Sequence, residues 1–170
     1  MTALRPLRAG DIEIVNRWLV DPEAGGEFQW VGYGSTQRLR HQFDLDEIIS
    51  DTGGYLAIVD ERDTTVGDVS WRMERTGPSK GSWCWSIGII IVPERRGMGH
   101  GTDAQRLIAD YLFAHTTAER IQADTDIDNI AEQKALAKAG YTREGVLRSA
   151  QWRAGRWRDM VLFSKLRGEP

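Results

Sequence analysis

The chain has 170 residues, of which 41% are hydrophobic and 28% charged, and its formal net charge is -3. This length and balance suit one globular domain and argue against extensive disorder. The charge supplies no basic field to attract nucleic acid or an anionic membrane surface, although a local basic pocket stays open.

The opening residues, Met1 to Arg8, lack the apolar core of a secretion signal, and the longest apolar run, Ile87 to Val92, is far too short to span a bilayer. Cys84 is the sole cysteine, so an intrachain disulfide and a paired-thiol site are both excluded. These features predict a cytoplasmic protein. Leu4 to Arg8 reads as a strand, followed by a helix from Asp11 with Ile12, Val15 and Leu19 on one face. From Asp21 to Gln42 the glycines and the rings of Phe28, Trp30 and Tyr33 show no steady period, which predicts a loop. Those rings either fold back on the core or line a pocket.

Phe43 to Ser50 reads as a short helix. Three strands follow, Tyr55 to Asp60, Val66 to Glu74 and Trp83 to Val92, and their short connections favour antiparallel neighbours. Thr102 to His115 is the clearest helix, with Ala104, Leu107, Ile108, Tyr111 and Leu112 on one face. Ile121 to Thr125 reads as a strand, Ile130 to Ala139 as a helix with Gly140 suited to its C-terminal cap, and Tyr141 to Arg153 and Arg156 to Leu166 as a final hairpin. Most of the chain's seven tryptophans are expected to pack the sheet against its helices.

The segment richest in chemical information runs from Ile87 to Thr102: an apolar strand, a glycine-rich turn, then the clearest helix. Gly97, Gly99 and Gly101 alternate just before that helix, where backbone N–H groups and the helix dipole can hold an anion, with Arg95 and Arg96 adjacent. A tight strand-to-helix turn that needs glycine only for its backbone angles is the alternative. The turn has neither the Gly-Lys-Ser/Thr ending of a Walker A loop nor the G-x-G-x-x-G spacing of a dinucleotide fingerprint, which sets aside ATPase and dehydrogenase readings.

Arg96 to Gly101 satisfies the R/Q-x-x-G-x-G/A signature, and the chain resembles the GNAT superfamily of acyl-coenzyme A-dependent N-acyltransferases. The likeness extends to the RimJ/RimL branch. It runs through Leu4-Arg5-Pro6-Leu7 with Asp11 and Trp18, Ile87-Gly88, Thr102-Asp103-Ala104, Asn129, Lys138-Ala-Gly-Tyr141, Glu144-Gly145 and Asp159. The resemblance implies an α/β (α+β) fold: a mixed, mostly antiparallel sheet of about seven strands with a splayed cofactor strand, flanked by about four helices. It also implies direct transfer of an acetyl group from acetyl-coenzyme A to a primary amine, on a protein N-terminus or a small metabolite or antibiotic, and a possible homodimer.

Residue by residue, the resemblance places the pantetheine arm along Ile91 and Val92 and the pyrophosphate on Arg96, Gly97, Met98, Gly99, His100, Gly101 and Thr102, with Asn129 contacting the coenzyme. Asn129 is equally suited to cap the following helix. His100 is expected to face solvent or the nucleotide, and Trp30 to wall the acceptor site. At the two catalytic places the sequence departs from the branch: Ser86 stands where several relatives carry a Glu base, and Glu132 where the family has Ser. Ser86 can at best orient a water, and Glu132 needs a raised pKa to donate a proton. Asp68, Asp124 and Asp126 are expected to be solvated or capping groups, and Cys84 a packed core thiol. No metal site is expected. The acidic balance points weakly to a cationic acceptor. The alternative of a different class is a catalytically silent coenzyme A-binding regulatory domain.

Overall fold

The computed structural model describes residues 1–169. The strands are β1 (Ala3–Pro6), β2 (Ile49–Ser50), β3 (Gly53–Val59), β4 (Thr65–Arg75), β5 (Trp83–Ile91), β6 (Arg120–Asp126), β7 (Thr142–Arg153) and β8 (Arg156–Leu166). The helices are α1 (Asp11–Arg17), α2 (Pro22–Gln29), α3 (Gln37–Asp44), α4 (His100–His115) and α5 (Ile130–Lys138), with a single 3-10 turn at Pro93–Arg95. All eight strands join one sheet in the order β1-β3-β4-β5-β6-β8-β7, with β2 paired to β3. Only β5 and β6 run parallel.

The strand alternation divides the core in two. Leu56, Ile58, Val69, Trp71, Trp85 and Ile87 point to one face, where α4 buries Ala104, Ile108 and Leu112 and α5 buries Leu136. Ala57 and Val59 point to the other, under Ile12, Val15, Trp18, Ala24 and Leu39 of the first three helices and their flanking turns. The predicted face of α4 shifts slightly, since Gln105 is fully buried while Leu107 and Tyr111 are only half-buried.

The segment 21–50 differs from the sequence expectation. The expected loop contains two helices, and the expected helix over 43–50 is the end of α3, a turn and a strand. Asp21 caps α2 by accepting from the Glu23 N–H at 3.0 Å, with Pro22 at the first helical position. Gly26 (φ 69, ψ -174) then kinks the helix, so no regular apolar period develops. Asp46 adopts φ 58 just after α3, and Ile49 and Ser50 turn back to pair with Gly54 and Gly53. Trp152 and Trp157 also depart from the packing expected of them: they are 57% and 59% exposed and pack edge-on against each other, ring centroids 5.6 Å apart, at the tip of the β7–β8 hairpin.

One buried charge cluster holds the far side of the sheet. Asp126, 1% exposed at the end of β6, receives Arg158 Nε at 2.9 Å and the guanidinium of Arg153. Arg153 also donates to the Phe28 carbonyl at 2.9 Å, which ties the β7–β8 hairpin to α2. Burial acts to raise the Asp126 carboxyl, but Arg158, the Asp128 N–H and Arg153 together hold it well below the usual carboxylate range. Such a depressed group adds stability above its unfolded value, and that stability is lost as pH falls toward the folded one. Asp126→Asn leaves Arg153 buried without its counter-charge. Urea unfolding at pH 7 is expected to show a loss of about 3 kcal/mol, shrinking as the pH approaches 3.

Candidate active site

The cleft begins where β5 and β6 separate. Trp85 and Ser86 pair with Ile121 and Gln122, and β5 then continues to Ile91 with no partner on that side. On its other edge β5 stays paired with β4 through Gly67 and Ile91. The Val92 N–H donates to the Val66 carbonyl at 2.9 Å, so by alternation the peptide groups of Ile89 and Ile91 face the gap. Ile91 thus lies on the open edge as expected, whereas Val92 turns its N–H to β4 and Ile89 takes the second place.

Both open carbonyls are met by side chains. Gln29 Nε2 donates to the Ile89 carbonyl at 2.6 Å, and Arg96 Nε donates to the Ile91 carbonyl at 2.9 Å. Arg96 also reaches the Ala24 carbonyl at 2.7 Å, and a Cβ on Gly26 would lie 3.1 Å from its guanidinium. Arg96 therefore fastens α2 to the cofactor strand. Arg95 leans toward Asp60, 3.8 Å away.

The turn itself has the geometry of an anion cradle. Gly97 and Gly99 adopt φ 75 and φ 90, which side chains with a Cβ resist, and Gly99 caps α4 with no side chain hydrogen-bonding to the helix start. The first N–H groups of a sixteen-residue helix are left for a ligand. Gly97, Gly99, His100, Gly101 and Thr102 line a cavity of about 560 Å³ with Gln29, Ile91 and Asn129. Lys134 and Lys138 of α5 complete its wall; Lys138 opens the family-like run to Tyr141, whereas Lys134 is a cation that the sequence pattern did not single out. His100 bonds Thr2 Oγ1 at 3.0 Å through Nδ1 instead of facing only solvent, and Met98 is 61% exposed. Asn129 caps α5, accepting from the Glu132 N–H at 3.3 Å and donating to Thr125 Oγ1 at 3.1 Å.

A second cavity, of about 860 Å³, opens on the face of the first three helices and meets the first at Phe28, Gln29, Ile89, Asn129 and Glu132. Ser86 is 2% exposed and outside both cavities, and Trp30 is also outside them, packing edge-on against Tyr33 at 5.2 Å. Of the carboxylates expected to be solvated or capping groups, Asp68 and Asp126 are buried and Asp124 is exposed. Asp68 is 4% exposed, and its hydrogen bond comes from Trp18 Nε1 at 2.8 Å; burial pushes it up to about 7 against that bond. Asp124, though exposed, is raised by partial desolvation, with Arg72 pulling it back. Glu132 rises to about 7 through burial, opposed by the bond from Gln105, whose Oε1 is buried without a partner. Cys84 is fully buried, and burial raises its thiol, as for a packed core residue.

A sheet split between two strands, with a glycine-rich anion turn on one side and raised carboxyls on the other, defines an acyl-coenzyme A-type transferase cleft. Residues 2–142 match the family described as "Acetyltransferase (GNAT) domain", and the chain belongs to that family. Among curated relatives, "Uncharacterized N-acetyltransferase p20" of Bacillus licheniformis is 24% identical over 98% of this chain and 93% of its own length. "Probable N-acetyltransferase YjcK" of Bacillus subtilis is 34% identical over 47% of this chain and 44% of its own. Among solved structures, spermidine N-acetyltransferase from Vibrio cholerae, in complex with CoA and spermine, superposes with a TM-score of 0.80 at 19% identity, over 99% of this chain and 96% of that one. RimJ of Mycobacterium smegmatis, in complex with CoA-disulfide, gives 0.76 at 21%, over 98% and 82%. The protein is an acyltransferase with acetyl-coenzyme A as the usual cosubstrate of its family. No helix among the described residues is long and apolar enough to cross a membrane.

A raised carboxyl favours the protonated folded state, so Asp68 costs stability progressively as pH rises from its ordinary 3.8 to about 7. Asp68→Asn keeps the acceptor for the Trp18 indole and removes that cost. Calorimetric melting is expected to show a Tm at least about 3 °C higher than wild type at pH 8 and little difference at pH 4.

Proposed function

We propose that the chain acetylates a primary amine by direct attack on the acetyl thioester, with Asp68 receiving the amine's proton and Glu132 protonating the leaving sulfur. The observation that carries this is the pair of carboxyls, both raised to about 7, in a cavity that meets the coenzyme groove. An alkyl amine is mostly protonated at neutral pH, so a base poised near 7 is matched to freeing its lone pair. The Ile89 N–H, facing the gap, is placed to receive the oxyanion that forms when nitrogen bonds to the carbonyl carbon. As the carbon–sulfur bond breaks, Glu132 delivers its proton to sulfur, and the Glu132 carboxylate left behind takes the second proton from the nitrogen. Its position on α5, lining both cavities, supports that role. The Ile91 N–H would pair with the pantetheine arm, and Gly97 to Thr102 with Lys134 and Lys138 would hold the phosphates.

This reading favours an active enzyme over a silent coenzyme-binding domain, because a structural fold needs neither of two raised carboxyls beside the groove. Titration of free coenzyme A by calorimetry is expected to give at least a tenfold weaker Kd for Gly99→Asp, through repulsion and a left-handed backbone that Asp resists (about 1.4 kcal/mol or more). Unchanged affinity would remove the phosphate turn from the site. In steady-state kinetics, Asp68→Asn is expected to lower kcat/KM by about 10²-fold or more and abolish the rise in rate through pH 7. Glu132→Gln should lower kcat and remove the fall on the alkaline side, and unchanged turnover would exclude it as the acid.

A further inference from the structure

The acceptor cavity carries charges that an amine alone does not require. Arg38 of α3 and Arg72 of β4 both line it, both are exposed, and neither hydrogen-bonds or ion-pairs with a carboxylate among the described residues. Arg72 sits across from uncharged Gly53 and Ser86 on the neighbouring strands. Of the acids near it, Glu74 receives Gln122 Nε2 at 2.7 Å and Asp68 receives the Trp18 indole, while Asp124 acts on Arg72 through space without an ion pair. Arg153 and Arg158, by contrast, are committed to Asp126. Tyr55 stands between the charges. It lies across from Ser70, between Asp68 and Arg72 on the same face of β4, and lines the cavity with Arg38; burial raises its phenol while Arg38 and Arg72 lower it.

The negative side of the cavity is weaker than its carboxylate content implies. Asp126 is taken by two arginines, and the buried Asp68 and half-buried Glu132 resist ionising at neutral pH, which leaves Glu47 and Asp124 at the exposed rim. When a ligand displaces water from an unpaired guanidinium, the lost hydration must be replaced, and a carboxylate or phosphate does this best.

Resting on the acetyltransferase reading of this cavity, we propose that the acceptor is a small primary amine that also bears an anionic group, its amine directed to Asp68 and its anion held by Arg38 and Arg72. Asp68 and Arg72 share a strand face four residues apart, roughly 13 Å along β4. That separation, shortened by the arginine side chain, suits an amine and an anion several bonds apart. The local arrangement thus opposes the cationic acceptor that net charge alone favours.

Four amines of matched length test this: 4-aminobutanoate, 4-aminobutyl phosphate, butylamine and 1,4-diaminobutane. Each is titrated calorimetrically into protein saturated with free coenzyme A, and each is assayed for thiol release from acetyl-coenzyme A. At least one anionic amine is expected to bind about tenfold or more tighter than butylamine, with the diamine weakest. Arg38→Gln and Arg72→Gln should each remove most of that preference while leaving butylamine and coenzyme A affinity unchanged. Equal or tighter binding of butylamine or the diamine, no binding of any of the four, or a preference that survives both substitutions overturns the proposal. Binding of an anionic amine without thiol release from any of the four would sink the acetyl-transfer reading and leave the anion site standing.

Discussion

The divergence of β5 from β6 after two paired residues is the constraint on which the site depends. A strand that leaves its neighbour inside a sheet exposes peptide groups that must find other partners. Gln29 and Arg96 supply them at Ile89 and Ile91, and in doing so fix α2 across the mouth of the gap. On the other bank, the Asp126 cluster holds the end of β6, the β7–β8 hairpin and the Phe28 carbonyl together. The opening is therefore kept by specific bonds on both sides. β7 itself bends where its register shifts between Leu147 and Gln151, and there Asp159 accepts the Ser149 N–H at 2.8 Å.

Two aspartates on this sheet show how partners decide chemistry. Asp68 and Asp126 are both almost fully buried, yet the first meets one neutral indole and the second two guanidinium groups. Desolvation wins at Asp68, which rises to about 7, and loses at Asp126, which falls. One is suited to exchanging a proton and the other to holding strands in place.

The strand–turn–helix from Ile87 to His115 was legible because its apolar run, alternating glycines and helical period are all local. The family resemblance was legible for the same reason, being carried by short motifs in order. The segment 21–50 was not, because a kink at Gly26 and a left-handed Asp46 break every period before it can build. Asp21-Pro22 was the one usable signal there, an N-cap followed by a favoured first helical residue. The role of Arg96 was hidden too, since its partners, Ala24 and the Ile91 carbonyl, are set by tertiary approach. Ser86 and Trp30 carried positional expectations from the family, but the first is buried although it shares the face of Arg72, and the packing of Trp30 on Tyr33 turns it from the cavity. Asp68 was visible in the sequence only as a solvated or capping group, because nothing local marks Trp18, fifty residues away, as its partner.

Phe28 and Gln29 belong to the walls of both cavities. On the proposed assignment of the two cavities, a change at either residue would be felt by the donor of the acyl group and by its recipient together. Substitutions that alter only the choice of recipient are then expected in α3 and β4, where the wall touches one cavity alone.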